Sequence, residues 1–216
     1  MIKIDLTNCT KISDEGIQGL AQYCSNLTSI NLSVDALKTR IFTKTGLEAL
    51  SRNCPGLTEL NLKNCAAIKG EGVRELFLNC KGITSLNLSG LGLENKDMTV
   101  LSEFPSQLAI LKSLNLSYNR GITNIQPMLG HCSELTVIGL AYCSNITDST
   151  LTGLSGCKKL EEINIHGCHK VTIVGLTRLL KEHPALISIG ISASGTPLEP
   201  VLQKIQSENL HLNIYL

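Results

Sequence analysis

The chain has 216 residues and balanced charge, with 19 Lys and Arg residues against 18 Asp and Glu residues and a formal net charge of +1. Nucleic-acid backbones and anionic membranes favour a cationic excess, so neither is expected as the partner. No apolar run approaches the roughly 20 residues of a membrane-spanning helix, and Met1 is followed by Ile-Lys-Ile-Asp instead of the apolar stretch of a signal peptide. Aromatic residues make up 3% and Trp is absent, so Leu and Ile must fill the core.

A repeating unit runs along the whole chain. Its clearest mark is Leu-Asn-Leu at 60–62, 86–88 and 114–116. When the first residue of each unit is numbered 0, branched apolar residues recur at +3, +6 and +8. A partial unit occupies 1–23, and a terminal strand near 210–216 has no assigned register. The whole chain, 1–216, is therefore predicted to be a single solenoid of about eight repeats. The full units start at Cys24, Cys54, Cys80, Leu108, Cys132, Cys157 and His183.

Each unit predicts a short strand followed by a short helix. Apolar residues at +6 and +8 with polar residues between them are typical of a strand with one buried face. Apolar residues three apart, such as Ile17 and Leu20, predict the helices, and Ser13 and Thr147 are predicted N-caps. Since one unit cannot bury its own apolar face, the units must stack, with parallel strands on a concave face and helices on a convex face. The predicted fold class is an α/β horseshoe solenoid.

All nine cysteines fall at two positions of this repeat. The segments 54–65 and 157–168 carry the pattern most fully, and they resemble the cysteine-containing class of leucine-rich repeats found in F-box/leucine-rich-repeat proteins and mitotic-exit antagonist-like proteins. The pattern departs from the class in four repeats, one of which has Asn119, the residue of ordinary leucine-rich repeats, at +11. Position 0 holds Cys24, Cys54, Cys80, Cys132 and Cys157; position +11 holds Cys9, Cys65, Cys143 and Cys168.

The resemblance implies recognition of a protein or peptide partner. The sequence contains no F-box-like helical segment, which is the part that confers the adaptor function in ubiquitin ligases. Only substrate-type recognition is therefore implied, as part of a larger protein or of a ubiquitin-ligase-type complex. The alternative function is a structural or assembly scaffold that associates through its open solenoid ends or its helical face.

Three chemical roles compete with burial for the cysteines. Cys132 and Cys157 would lie about one strand spacing (~5 Å) apart, which a disulfide permits, but nine is an odd number and stacking alone makes a core. Zinc ligands usually lie two to four residues apart, whereas these cysteines are more widely spaced. A nucleophilic thiol needs exposure and an electropositive setting. We therefore expect reduced, buried thiols in the cytoplasm (or a host cytoplasm, for a secreted microbial effector), and a protein that is not an enzyme, with no catalytic residue, metal or cofactor.

The predicted contact surface is formed by strand positions +5, +7 and +9, which alternate with the buried positions. Position +7 is mostly Asn, which indicates either binding groups or merely a solvated sheet. Tyr118 and Tyr142 share position +10 in adjacent repeats, so they should lie side by side, either to contact a partner or to pack the turn. Tyr and Arg are favoured in binding hot spots. The predicted partner-binding residues are Asn115, Tyr118, Arg120, Tyr142, Glu162, Asn164 and His166.

Two further features suggest contacts. An insertion at 36–44 predicts either a protruding contact loop, with Lys38, Arg40, Phe42 and Lys44, or a surface insertion that the repeat tolerates. The sequence also begins and finishes on apolar strands without the polar caps that solenoids need. This predicts a piece of a longer protein, or ends that another chain covers, including self-association through the uncapped ends.

Overall fold

The structure, a computed structural model, describes residues 2–35, 42–192, 199–208 and 211–215. Its described strands form one open parallel sheet in which every strand pairs with the next in chain order, so the predicted α/β solenoid is confirmed. The strands are β1 (Ile2–Asp5), β2 (Leu27–Asn31), β3 (Glu59–Asn61), β4 (Ser85–Asn87), β5 (Ser113–Asn115), β6 (Val137–Gly139), β7 (Glu162–Asn164), β8 (Ser188–Gly190) and β9 (Asn213–Tyr215).

Short helices connect the strands. Ser13 and Thr147 are N-caps as predicted, and the Ser13 hydroxyl accepts from the Gly16 amide at 3.3 Å. Among the described helices, none combines the length and the apolar character needed to traverse a lipid bilayer. The helices are α1 (Asp14–Tyr23), α2 (Lys44–Asn53), α3 (Lys69–Asn79), α4 (Asn95–Leu101), α5 (Pro105–Ala109), α6 (Gln126–Leu129), α7 (Asp148–Thr152), α8 (Ile173–Glu182) and α9 (Glu199–Glu208), with a 3-10 turn at Gly153–Gly156.

Equivalent repeat positions pair across the sheet. At +6, Leu60 pairs with Leu86, and Leu86 pairs with Leu114. Ile214 pairs with Ile189 in the last pair of strands, so Ile214 takes position +6. The +6 and +8 side chains from β2 to β8 are buried in one continuous core between the sheet and the helices. Identical residues therefore stack at the ~4.8 Å strand spacing, which is how a short repeated strand acquires its register.

The +11 side chains connect neighbouring repeats. The thiols of Cys65, Cys143 and Cys168 each donate to the carbonyl of the +8 residue in the preceding repeat, at 3.1–3.2 Å. Asn119 has the same role, because its Nδ2 donates to the Leu88 carbonyl at 3.0 Å. Its Oδ1 also accepts from the Leu93 amide at 2.9 Å. A thiol and a carboxamide are thus alternative donors to the same buried carbonyl position.

Burial of the cysteines is confirmed for seven of the nine. Cys9 is exposed and Cys24 is half-buried, so for these two the prediction of a buried thiol is wrong. Cys9 lies in the partial unit, whose strand β1 is the edge of the described sheet, and Cys24 begins the unit next to it. Burial raises the pKa of Cys80, Cys132 and Cys168 to about 12. Such thiols are protonated at neutral pH, which suits hydrogen-bond donors and not nucleophiles.

Candidate functional site

We define the concave face as the side chains at +5, +7 and +9. On this face, asparagine side chains at +7 form hydrogen bonds with the backbone where the strands end. The Oδ1 of Asn61, Asn115 and Asn164 accepts from the backbone amide two residues later at 2.9–3.0 Å. This local bond ends the strand, as Asx turns do. Within the described part of the chain, the Nδ2 groups of Asn115 and Asn164 donate no hydrogen bond. Each amide therefore has its oxygen engaged in the fold and its nitrogen free for a ligand.

Glycines interrupt the asparagine row in the second half of the solenoid. A Cβ at Gly139 would lie 2.6 Å from the Oδ1 of Asn115, and one at Gly190 would lie 2.9 Å from the Oδ1 of Asn164. The missing side chains contribute to a depression of about 360 Å³. Its lining includes Asn115, Gly139, Glu162, Asn164, Gly190 and Tyr215. We call this region the glycine depression.

An aromatic ladder lies where the neighbouring strands end. The rings of Tyr118 and Tyr142 are stacked, with centroids 4.8 Å apart and planes 16° apart. The imidazole of His166 meets Tyr142 edge-on at 5.3 Å. Tyr118 remains 50% exposed and Tyr142 37% exposed. The prediction that the two tyrosines lie side by side is confirmed, and His166 extends the row into the next repeat.

Both tyrosines have a left-handed backbone, with φ of 63° at Tyr118 and 58° at Tyr142. The same repeat position holds Asn64, Gly90 and Gly167, whose φ values are also positive. Asn and Gly tolerate this region, whereas a bulky side chain there costs of the order of 1–3 kcal/mol. Among the described residues at +10, only Val34 lacks a positive φ. The fold thus favours a left-handed residue at this position, and two repeats fill it with a bulky aromatic residue that tolerates this backbone poorly.

Gly167 makes room for the end of the ladder. A Cβ on Gly167 would lie 2.7 Å from Cδ1 of Tyr142, so any larger residue would displace the ring. Arg120 is exposed just beyond the ladder, and its backbone carbonyl accepts from Nδ2 of Asn145 at 2.9 Å. Asn115, Glu162 and Asn164 line the glycine depression. The seven predicted residues thus form two neighbouring groups on the concave side.

The residues of the predicted contact loop do not form a contact surface in the part of the chain that the structure describes. Lys38 and Arg40 lie outside the described residues. Phe42 is fully buried, so the prediction that it contacts a partner is wrong. Its ring packs where Gly46 of α2 has no side chain, since a Cβ there would lie 2.5 Å from the ring. Lys44 is the first residue of α2 and pairs with Glu71 of α3 at 2.6 Å, on the helical side.

Two features of the site were missed from sequence. The first is Tyr215, which lines the glycine depression. If the last strand had been aligned with Ile214 at +6, Tyr215 would have fallen at +7, the position that is Asn in most other repeats. The second is the left-handed backbone at +10, which was signalled by the recurrence of Asn and Gly at that position.

On the convex side, Val174 is 71% exposed beside a shallow, mostly apolar depression lined by residues of α8.

A family model and one of two solved structures agree with this architecture. A family model described as Leucine Rich repeat matches residues 1–21 and 53–77. Internalin C2 from Listeria monocytogenes is 25% identical, with a TM-score of 0.57 over 91% of this chain and 75% of that chain. A chain of the Rad7 and Elc1 complex from yeast is 15% identical, with a TM-score of 0.49 over 89% of this chain. This chain spans 62% of the length of that yeast chain.

Proposed function

We propose that the chain, which is similar to leucine-rich-repeat proteins, is a protein-binding module that uses its concave face and the aromatic ladder. The observation that carries the proposal is the left-handed backbone of Tyr118 and Tyr142. Asn or Gly would fill this position without strain. A strained conformation at an exposed site supports a role outside the fold itself.

The ladder also has the properties of a binding hot spot. Stacking holds each ring in place before a partner arrives, so little side-chain entropy is lost on association. Each tyrosine combines a flat apolar surface with a hydroxyl group. The free amide nitrogens of Asn115 and Asn164 supply hydrogen-bond donors on the same face. A polypeptide, with its carbonyl oxygens and apolar side chains, suits this combination.

The cysteines favour an intracellular binding module over an enzyme. Seven of them are buried in the core. Those whose pKa is strongly raised by burial stay protonated at neutral pH, so they act as hydrogen-bond donors. Unpaired thiols in this number are typical of a reducing compartment, so we place the protein in the cytoplasm, its own or a host's. Within a larger protein or a ubiquitin-ligase-type complex, the concave face would select the substrate.

Quantitative affinity capture with variant baits tests this proposal. The bait Tyr118→Asn/Tyr142→Asn removes both rings while keeping residues that accept a left-handed backbone. Tyr23→Asn is the matched control, because Tyr23 is 92% exposed at the last position of α1. We expect proteins held by the wild-type chain to be lost from the double variant and retained by Tyr23→Asn. Retention by all three baits would refute the proposed surface.

The scaffold alternative is favoured by one observation, the exposed Val174 on α8. Val174 is 71% exposed and lines a mostly apolar depression on the helical side together with Ile173, and an apolar patch suits association between copies. Light scattering over a range of protein concentrations tests this role. A mass that rises with concentration in the wild type and not in Val174→Glu would support it, whereas a constant monomer mass would exclude it.

A further inference from the structure

We propose that the partner presents a basic side chain, Arg or Lys, that enters the glycine depression and pairs with Glu162; the inference rests on the proposed function and deepens it. Glu162 is exposed at position +5 of β7. Within the part of the chain that the structure describes, its carboxylate takes part in no hydrogen bond or ion pair. It is also the single charged residue among the described residues that line the depression.

The first half of the concave face provides an internal comparison. Glu59 occupies the same repeat position in β3, but the Lys3 ammonium lies 3.0 Å from its carboxylate. The hydrogen bond from Lys3 lowers the pKa of Glu59, as expected for a carboxylate with a cationic partner. One carboxylate of this row therefore has its cation within the chain. The other has none within the described chain and faces the side where a partner would dock.

The shape of the depression suits a long basic side chain. Its volume of about 360 Å³ lies at the lower end of the range for pockets that enclose small ligands, about 300–1,000 Å³. Gly139 and Gly190 leave space on either side of the Asn164 side chain. The Tyr215 ring, 62% exposed, also lines the depression and offers an aromatic surface that suits the aliphatic stem and the cation of Arg or Lys. Arg fits best, since its guanidinium can bind a carboxylate through two parallel hydrogen bonds.

The charge of this region also argues against other occupants. An acidic peptide would bring like charge to Glu162, and a nucleic acid would bring a row of phosphates to a depression whose one described charge is negative. The surrounding groups are neutral amides and hydroxyls, such as Ser113 and Ser188. A basic anchor is thus the one charged group that this part of the concave face stabilises.

Selection from a displayed library of random 12-residue peptides on the intact chain tests the inference without a known partner. We expect enrichment of Arg or Lys at one fixed position of the selected peptides. A synthetic peptide made from the enriched sequence should bind Glu162→Gln about tenfold or more weakly than wild type, because a charge-assisted pair contributes more than about 1.4 kcal/mol. Glu161→Gln, the matched control at an exposed carboxylate that does not line the depression, should bind it within about twofold of wild type.

A charge-reversed bait gives a second measurement. Selection on Glu162→Lys should replace the basic preference by Asp or Glu at the same position. Selected peptides that lack a basic preference, or that bind wild type and Glu162→Gln equally, would overturn the Glu162 assignment. If those peptides still required Tyr118 and Tyr142, the proposed function would stand. Failure to select any peptide, or selection of peptides indifferent to both sites, would overturn the two proposals together.

Discussion

Replacing Tyr118 by Ala or by Asn removes the same stack on Tyr142, but the two residues differ in how they tolerate a φ of 63°. A stacked aromatic pair contributes about 0.5–1.5 kcal/mol beyond its buried area. The left-handed backbone costs an L-residue about 1–2 kcal/mol, and Asn escapes part of that cost. Tyr118→Ala loses the stack and keeps the strain, so we expect it to be about 1 kcal/mol less stable than wild type. In Tyr118→Asn the two effects nearly cancel, and we expect stability within about 0.5 kcal/mol of wild type.

Urea-induced unfolding followed by circular dichroism measures this difference. An unchanged m-value shows that the variants unfold from the same structure, so that a shift in midpoint reports stability. Tyr23 is the control, because it ends helix α1, where Ala is the better residue by helix propensity. At Tyr23 the order should therefore reverse, with Ala at least as stable as Asn. If Tyr118→Asn proved as unstable as Tyr118→Ala, the inferred strain at the ladder would be refuted.

Three further predictions concern buried groups. Burial lowers the pKa of His183 from 6.5, so the unfolded chain binds a proton at this residue more readily than the folded chain does. The neutral His183 therefore contributes its full stability above about pH 6.5, and that contribution falls as the pH drops below this value. Urea unfolding against pH should show this slope reduced in His183→Cys, and an unchanged slope would contradict the role of His183. Asn119→Ala should cost about 2–4 kcal/mol because two buried backbone groups lose their partner, whereas Asn119→Cys, which keeps a donor, should cost less; equal midpoints in urea would contradict this exchange. A thiol reagent at neutral pH should label Cys9 and Cys24 in the native protein and the remaining cysteines only after unfolding; fast labelling of more than two thiols would rule out the buried positions.

Much of the fold was predictable because the same pattern of apolar residues recurs in each repeat and sets the register of each strand. Leu60, Leu86 and Leu114 recur at one position, and they pair across neighbouring strands. The burial of Phe42 was not predictable in the same way. It depends on Gly46, which leaves space for the ring at the start of α2, and in sequence Phe42 lay beside basic residues in an insertion that matched no other repeat.

The site divides along similar lines. The proximity of Tyr118 and Tyr142 followed from their shared repeat position, since equivalent residues of adjacent repeats lie one strand spacing apart. Their left-handed backbone ran against the intrinsic preference of tyrosine, and only comparison with Asn64 and Gly167 would have revealed it. The glycine depression arises from side chains that are missing, and its shape depends on which neighbours face each gap.

Site-specific photo-crosslinking tests the central claim, that partners dock at the aromatic ladder, most directly. A benzophenone amino acid replaces Arg120, which is exposed beside Tyr118, or Thr177, which is exposed on α8 of the convex side. We expect a discrete crosslinked protein from position 120, lost when Tyr118→Asn/Tyr142→Asn is added, and no such product from position 177. A crosslinked partner from position 177 with none from position 120 would contradict this claim.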